Sequence, residues 1–371
     1  MSFLRDRLKQ LAQSAPAEPQ PESRPRPRCA IRRVSLALGE IGLSREGLFF
    51  LGGDEAARAF ACEEGLAFID VESTGLSRGA GTTAFEIGIG RIRGGKMELT
   101  QLYMRDYDEE EDLLRSAAEC LKGAELLVSF NGKSFDLPML RARMVMNRLP
   151  PGFTGLPHLD LLHGARRLYK LRLKQCNLGR LEEIILGAPR QDDIPGALIP
   201  GIWAAFLKNG DLEPILRVLE HNERDVFSMA LLLRELLKAQ ADPTAQRHAE
   251  DIYSAGLALE RAGRPREAER CYAFTLSGGT RLLSGLALSR LYRRQGRLDE
   301  NIAHLQALSD GQGGENFARV ELAKIYEHKK RDYAQALRLT EEAMALGLPG
   351  AEMEALRARR KRLLRRLNKG G

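Results

Sequence analysis

Four acidic side chains fall in three separated clusters, and each cluster lies beside apolar residues. Asp70 and Glu72 follow the apolar residues that begin LAFIDVESTGL. Asp136 lies in VSFNGKSFDLP, and Asp225 lies in EHNERDVFSMALLL. Carboxylates in such places are usually paired or bound to metal, because burying an uncompensated charge is costly. Side chains two apart on a strand point to the same face, so Asp70 and Glu72 can share one cation. The pattern therefore predicts a divalent-metal site.

The ligand types favour magnesium or manganese. Carboxylate oxygens suit these hard cations, and the five cysteines are scattered without a CxxC pair, which argues against a zinc ribbon or a disulfide framework. Two such ions, about 3.5–4 Å apart, activate a water and stabilise the leaving oxygen in phosphodiester hydrolysis. His221 precedes Asp225 by four residues on a predicted helix, so the two share a face and His221 is the candidate general base.

The elements around these residues predict an α/β domain with a mixed central sheet. Apolar runs predict strands at 66–72, 84–93, 97–104, 124–130 and 158–161, and helices at 109–122, 134–147 and onward to about 238. Three strands followed by alternating helix and strand are typical of this fold class. Glycine-rich turns at 79–81 and 94–95 predict antiparallel hairpins between the first three long strands.

A helical repeat pattern begins after Asp242-Pro243. Ala268, Ile302 and Ala336 recur 34 residues apart, each after a charged or polar stretch. This period is similar to that of the tetratricopeptide repeat, a helix–turn–helix unit that stacks into a concave binding surface for a protein partner. A generic bundle of α-hairpins is the alternative. The segment from Glu352 to Lys369 reads as a basic capping helix.

Composition and charge complete the domain organisation. We expect a basic, Pro-rich flexible segment at 1–33, an α/β domain at 34–240, and an all-α repeat domain with a basic C-terminal helix at 245–371. Residues 1–33 carry net +5 and residues 351–371 net +6, so the remainder of this +7 chain is net −4. Basic ends attract a polyanion such as nucleic acid, and two solvated termini are the alternative.

No membrane partner is expected. The longest charge-free apolar stretch near a helix, Phe227–Leu233, falls far short of the roughly 20 residues that a membrane span requires. A hydrophobic content of 43% with 29% charged residues is ordinary for a globular protein. The unpaired cysteine pattern indicates reduced thiols, so the sequence predicts a cytoplasmic protein.

The three acidic motifs resemble a known superfamily of nucleases. Asp70-Val71-Glu72 with Thr74-Gly75-Leu76, then Asn131 to Phe135-Asp136, then His221 to Asp225, are similar to the three motifs of the DEDD (DnaQ-like) exonucleases on the ribonuclease H-like fold. The resemblance covers residues 66–238. The stretches FNGKSFDLPML, HLDLLHGARRLY, DDIPGALIP and EHNERDVFSMALLL resemble the YprB-type ribonuclease H-like family, which often carries C-terminal repeats.

The resemblance implies a 3′–5′ exonuclease on DNA or RNA, with Asp70, Glu72, Asp136 and Asp225 as ligands of two Mg²⁺ or Mn²⁺ ions. It also implies that Thr74, Gly75 and Leu76 touch the terminal nucleotide. Asn131 and Lys133 are candidate substrate contacts, for which ordinary turn chemistry is the alternative. Two other functions stay open, a structure-specific endonuclease on the same fold and a nucleic-acid-binding scaffold that has lost activity and acts through its repeats.

The third motif departs from the family pattern. The histidine subgroup typically has four residues between His and Asp, whereas Asn222-Glu223-Arg224 are three, the spacing of the tyrosine subgroup. Nearby polar residues are predicted to be structural, with Asp160, His158 and His163 capping the strand and the helix that follows. Asp192 and Asp193 receive no role from the sequence.

Overall fold

The computed structural model describes residues 28–59, 62–75, 81–310, 316–347 and 350–368. Several predicted features lie outside these ranges: Leu76, two residues of the 79–81 turn, residues 1–27 of the basic N-terminal segment, and Lys369.

One mixed sheet organises the α/β part of the chain. Its strands are β1 (Ala30–Ala37), β2 (Leu66–Ser73), β3 (Ala84–Arg93), β4 (Lys96–Tyr103), β5 (Leu126–Ser129) and β6 (His158–Asp160). They are ordered β1-β4-β3-β2-β5-β6. The pairs β1/β4, β3/β4 and β2/β3 are antiparallel, whereas β2/β5 is parallel. The predicted mixed sheet is therefore confirmed.

Burial explains which strands the sequence revealed. Nine of the ten residues of β3 are buried, so the sequence of this strand is mostly apolar and predicts a strand directly. Half-buried and exposed side chains alternate along β1, which is an edge strand and was not predicted. The predicted hairpin between β3 and β4 is confirmed, since Gly94 and Gly95 close it with φ of 53° and 73°, values that favour glycine.

Helices flank and follow these strands. In the first two thirds of the chain they are α1 (Arg45–Arg58), α2 (Glu110–Cys120), α3 (Asp136–Met146), α4 (Leu161–Leu173), the one-turn α5 (Leu178–Leu181), α6 (Ile199–Asn209) and α7 (Glu213–Ala241). The C-terminal region is helical, with α8 (Ala249–Arg261), α9 (Pro265–Phe274), α10 (Arg281–Arg294), α11 (Leu298–Asp310), α12 (Asn316–Ile325), α13 (Tyr333–Ala345) and α14 (Gly350–Leu367). None of the helices in the described ranges is long and apolar enough to cross a membrane.

The chain forms two compact units. One comprises the described residues up to Gly39 together with Glu63–Pro157 and Gln191–Met229, and the other comprises Glu40–Cys62, His158–Arg190 and the residues from Ala230 onward. In the first unit, apolar side chains of the sheet pack with α2, α3 and α6 in one core. Trp203 of α6 stacks on Phe85 of β3, with ring centroids 5.3 Å apart, and thereby anchors α6.

The helical region of the second unit explains the 34-residue period. Ala268, Ile302 and Ala336 lie near the starts of α9, α11 and α13, and all three are buried. Gly263 and Gly296 adopt left-handed φ values of 75° and 72° where α8 and α10 end. Equivalent residues therefore occupy equivalent places in successive helix pairs.

Candidate active site

Strand β2 and helices α3 and α7 supply the four predicted carboxylates. Asp70 and Glu72 lie at the carboxyl end of β2, and Asp136 is the first residue of α3. These three line a cavity of about 530 Å³. Asp225 lies on α7, one turn after His221. The structure thus brings residues that are far apart in sequence to one end of the sheet.

The carboxylates are close enough to repel each other. Burial is the main cause that raises the pKa of Asp70 well above its ordinary value, and the charges of Asp225 and Asp136 raise it further. The pKa of Glu72 is raised by burial first, then by Asp70 and by Glu86. Each negative charge therefore makes its neighbours harder to ionise.

The residues fit a divalent cation. Within the described ranges, no three His, Cys, Asp or Glu side chains are positioned as a ready-made ligand set. The donors at hand are carboxylate oxygens, which suit Mg²⁺ or Mn²⁺. A cation between these carboxylates would offset their mutual repulsion. The types of ligand atom and the electrostatics of the site therefore both favour a divalent cation.

His221 faces the same cluster. Its Nε2 lies 3.8 Å from Glu72 Oε1 and 3.6 Å from Asp225 Oδ2. The predicted shared face of His221 and Asp225 is confirmed, because one helical turn separates them. The imidazole is 9% exposed. The three-residue gap in the third motif therefore still leaves this ring beside the carboxylates.

Sequence reasoning missed the partner of the other ring nitrogen. His221 Nδ1 lies 2.8 Å from Asp193 Oδ1, within hydrogen-bonding distance. Asp193 also lies 3.7 Å from the guanidinium of Arg224. The two bonded residues are 28 positions apart with a helix between them, so no local periodicity connects them.

A buried polar network behind Asp70 was also missed. Asn222 Nδ2 donates to Asp70 Oδ2 at 2.9 Å. Gln101 Nε2 donates to Asn222 Oδ1 at 3.1 Å and to Glu86 Oε1 at 3.0 Å. Glu86, Gln101 and Asn222 are fully buried, and Glu86 Oε2 has no hydrogen-bond partner among the described residues. The EIG segment of β3 was the available signal, since it places an acidic residue inside an apolar strand.

Glycine in β3 allows α7 to reach this network. Gly88 pairs with Asp70 across the β2/β3 ladder. A Cβ at Gly88 would overlap the side-chain amide of Asn222, and one at Gly90 would lie 2.8 Å from Val226 Cγ1. The small residues thus let α7 pack closely enough for Asn222 to bond Asp70.

The predicted substrate contacts fall in different places. Gly75 and Asn131 line the cavity. Thr74 closes the end of β2, since its Oγ1 accepts from Thr83 N at 3.1 Å. Asn131 has a left-handed φ of 68°, which supports the turn interpretation, and Lys133 is exposed in the same loop. Leu76 lies outside the described residues.

The predicted capping role of Asp160 is confirmed. Asp160 Oδ1 accepts a hydrogen bond from Leu162 N at 3.1 Å, so Asp160 caps α4.

Two residues that line the cavity were not predicted. Phe135 lines the cavity next to Asp136 and is 42% exposed. Arg143 also lines it, paired with the buried carboxylate of Glu110. The cavity is thus lined by carboxylates, by apolar side chains and by a guanidinium.

The fold class follows from the sheet and from a family comparison. Residues 67–237 match the family model RNase_H_2, described as RNase_H superfamily. The chain therefore carries a ribonuclease H-like fold, a fold of nucleases.

A curated relative identifies the family more closely. The chain is 34% identical over 317 residues to YprB of Bacillus subtilis (strain 168), and the match covers 81% of this chain and 75% of the relative. The chain therefore belongs to the YprB-like family, as its motifs predicted.

A solved structure is also similar. The family B DNA polymerase from the hyperthermophilic archaeon Pyrobaculum calidifontis is 15% identical with a TM-score of 0.37. The match covers 57% of this chain and 28% of the polymerase chain. A similarity of this size carries no argument about function.

Proposed function

We propose that this chain is a metal-dependent 3′–5′ exonuclease that hydrolyses phosphodiester bonds of DNA or RNA. The observation that carries the proposal is the convergence of Asp70, Glu72, Asp136 and Asp225 from three elements, with His221 beside them. An acidic cluster of this kind suits two-ion phosphodiester chemistry. The ribonuclease H-like fold at residues 67–237 supports the same reading.

The four carboxylates would hold two Mg²⁺ or Mn²⁺ ions, which would supply a lowered water pKa and stabilisation of the leaving oxygen. The role of His221 Nε2 is to accept a proton from the attacking water as the water oxygen bonds to phosphorus. The bond from phosphorus to the 3′ oxygen then breaks, and that oxygen takes a proton from solvent. The products are a nucleoside 5′-monophosphate and a strand shortened by one nucleotide.

The cavity supports action at a chain end. Its volume of about 530 Å³ lies in the range of sites that enclose one small ligand, roughly 300–1,000 Å³. Phe135 and Met139 line the cavity, where an unpaired base can stack on the aromatic ring of Phe135. Gly75 and Asn131 also line it and are the proposed contacts for the terminal nucleotide, and Thr74, Leu76 and Lys133 complete the proposed set.

The repeats have a separate proposed role. The region from residue 245 onward acts as a TPR-like domain that binds a protein partner, and the nuclease domain extends over residues 34–240. The equivalent burial of Ala268, Ile302 and Ala336 supports a true 34-residue repeat over an irregular bundle.

An end-labelling assay tests the activity. Linear DNA and RNA labelled at the 5′ end, and internally labelled circles, both single- and double-stranded, are incubated with Mg²⁺ or Mn²⁺. We expect ladders that shorten from the 3′ end on linear substrates and intact circles. Cut circles would instead indicate the endonuclease alternative, and binding without cleavage would indicate the scaffold.

Matched variants attribute that activity to the site. Asp70→Ala should abolish hydrolysis, because it removes one of the four proposed ligands. Asp108→Ala removes an exposed aspartate elsewhere in the chain and should retain full activity. Activity in Asp70→Ala above a few per cent of the unmodified protein contradicts the two-ion site.

A further inference from the structure

We infer that Asp193 is a positioning residue that fixes the tautomer and the orientation of the His221 ring. This inference rests on the proposed function, in which His221 Nε2 accepts a proton. Asp193 receives no role from the sequence, and in the structure its Oδ1 lies 2.8 Å from His221 Nδ1.

The bond direction follows from the chemistry of the two groups. An ionised carboxylate only accepts hydrogen bonds, so Nδ1 must carry the proton that lies between it and Asp193. A neutral imidazole has one proton, which leaves Nε2 with its lone pair. That lone pair faces Glu72 and Asp225 at 3.8 and 3.6 Å, beyond direct hydrogen bonds. Nε2 is thereby kept as an acceptor.

The opposite tautomer cannot serve as a base. An unconstrained histidine side chain prefers the proton on Nε2, and neighbouring carboxylates favour the same form. His221 in that form would present a donor where an acceptor is needed. A carboxylate on the other ring nitrogen is the usual device by which proteins set this choice.

The segment that carries Asp193 is held on both sides. Asp192 adopts a left-handed φ of 53°, and Arg217 of α7 donates to its carbonyl oxygen at 2.9 Å. Ile194 is buried in the core of the same unit. Arg224 lies 3.7 Å from the Asp193 oxygen that faces the ring and offsets its charge. The carboxylate is therefore presented to His221 by a fixed turn.

Nitrogen NMR of the ring tests the inference directly. The full chain is labelled with ¹⁵N-histidine and studied with Mg²⁺ at alkaline pH. His221→Ala assigns the His221 signals among the six histidines. We expect a protonated Nδ1 in the unmodified protein and a protonated Nε2 in Asp193→Ala. Asp192→Asn is the matched control, because it removes a neighbouring charge while Asn tolerates the left-handed φ, and its spectrum should not change.

Kinetics supply the second readout. Asp193→Ala should lower kcat by about 10–100-fold, as for other residues that orient a functional histidine. KM should change by less than about two-fold, because the proposed role of Asp193 is to orient His221 and not to bind substrate. Asp192→Asn should leave both constants unchanged. If Asp193→Ala misfolds, the same measurements are made on Asp193→Ser. The serine side chain is too short to reach the His221 ring.

The outcomes separate the two proposals. A retained Nδ1 proton in Asp193→Ala, or an unchanged kcat, overturns the positioning role and leaves the exonuclease proposal intact. A tautomer change in a protein that cleaves none of the tested nucleic acids supports the positioning role and overturns the exonuclease proposal.

Discussion

At the residue scale, the candidate site brings together carboxyl groups that raise one another's pKa. The charges of Asp136 and Asp225 add to burial in raising the pKa of Asp70. Such a cluster costs folding free energy in the absence of a cation and is stabilised when one binds. The stability of the protein and its metal binding are therefore linked.

The first prediction uses Asp225→Ala to measure this link. In chelator, the variant should be as stable as the unmodified protein or more stable, since it relieves repulsion and places alanine in the helical interior of α7. Mg²⁺ at 100 times its dissociation constant should stabilise the unmodified protein by about 2.7 kcal/mol and the variant much less. Thermal unfolding with and without Mg²⁺ measures both effects. Equal stabilisation by Mg²⁺ in both proteins contradicts the assignment of Asp225 as a ligand.

The second prediction concerns His221. Its replacement by alanine should slow hydrolysis by roughly 10²–10⁴-fold, the usual contribution of a general base. Mg²⁺ affinity should hardly change, because the proposed ligands are the carboxylates. His163→Ala, at an exposed position of α4, is the control and should retain activity. A near-normal rate in His221→Ala means that this ring has only a structural role.

The third prediction concerns the buried carboxyl group of Glu86. Burial first, and then the charge of Asp70, raises its pKa well above the ordinary value of 4.5. A folded protein that holds this proton more tightly than the unfolded chain loses stability as pH rises from about 4.5 to the raised pKa. Glutamine has no proton to lose, so the Glu86→Gln variant should not lose stability in this way. The difference in unfolding free energy between the variant and the unmodified protein should therefore grow across that pH range by about 1.4 kcal/mol for each unit by which the pKa of Glu86 is raised.

Chemical unfolding of both proteins in chelator between pH 5 and pH 9 measures this difference. Glu98→Gln, on the same sheet with an exposed side chain, is the control and should show no such trend. A constant difference between Glu86→Gln and the unmodified protein across this range contradicts the prediction.

At the element scale, the approach of α7 to β3 assembles the site. Gly88 leaves the space that the Asn222 amide fills, and Asn222 bonds Asp70. Gly90 likewise admits Val226 and Met97. Two glycines in a buried strand are therefore explained by the close packing of a helix against them.

The fourth prediction tests this packing with Gly88→Ala. The added methyl group must displace Asn222, so we expect a loss of about 1–3 kcal/mol in stability and a loss of activity. Gly201→Ala in α6 is the matched control, since within the described ranges a Cβ added at Gly201 meets nothing within 4 Å beyond its chain neighbours and the backbone of its own helix. It should be as stable as the unmodified protein or up to about 1 kcal/mol more stable. Unfolding free energies and hydrolysis rates of both variants test this prediction. A fully active Gly88→Ala variant argues against the requirement for the hydrogen bond between Asn222 and Asp70.

At the scale of the whole molecule, the basic C-terminal helix has two different faces. Arg359 and Arg362 pair with the buried carboxylate of Glu327, and Arg360 pairs with Glu341 at 2.7 Å. Leu356 and Leu363 of the same helix are buried. These contacts support a capping role. Arg357, Lys361 and Arg365 are exposed and spaced four residues apart, so they form one charged face.

The fifth prediction separates these faces. Combined Arg359→Gln and Arg362→Gln should lower stability by about 3 kcal/mol, because Glu327 stays buried without its cations. Combined Arg357→Gln, Lys361→Gln and Arg365→Gln should leave stability unchanged and reduce the slope of log affinity against log salt by about 2. Unfolding and nucleic-acid binding at several salt concentrations measure both. An unchanged slope limits α14 to a structural role.

Local sequence patterns determined much of this protein. Period-two and apolar patterning predicted the strands from β2 to β6, and the spacing of His221 and Asp225 placed both on one face of a helix. These features depend on neighbours along the chain, which a sequence reports directly. The YprB-like family was predicted from the resemblance of sequence motifs and is confirmed by a relative that is 34% identical over 317 residues. The domain boundaries and the TPR-like character of the repeats stay predictions.

Only the tertiary structure decided what surrounds the acidic residues. Asn222 and Asp70 are hydrogen-bonded although they are 152 positions apart in the sequence. Asp193 and His221 are 28 positions apart, with α6 between them in the sequence. The burial of Glu86 behind the cluster depends on how closely α7 packs on β3, and thus on Gly88. Such contacts join elements that are distant in the chain, and their hydrogen bonds form only when packing brings the groups within about 3 Å. No periodicity encodes them, because periodicity describes one element at a time.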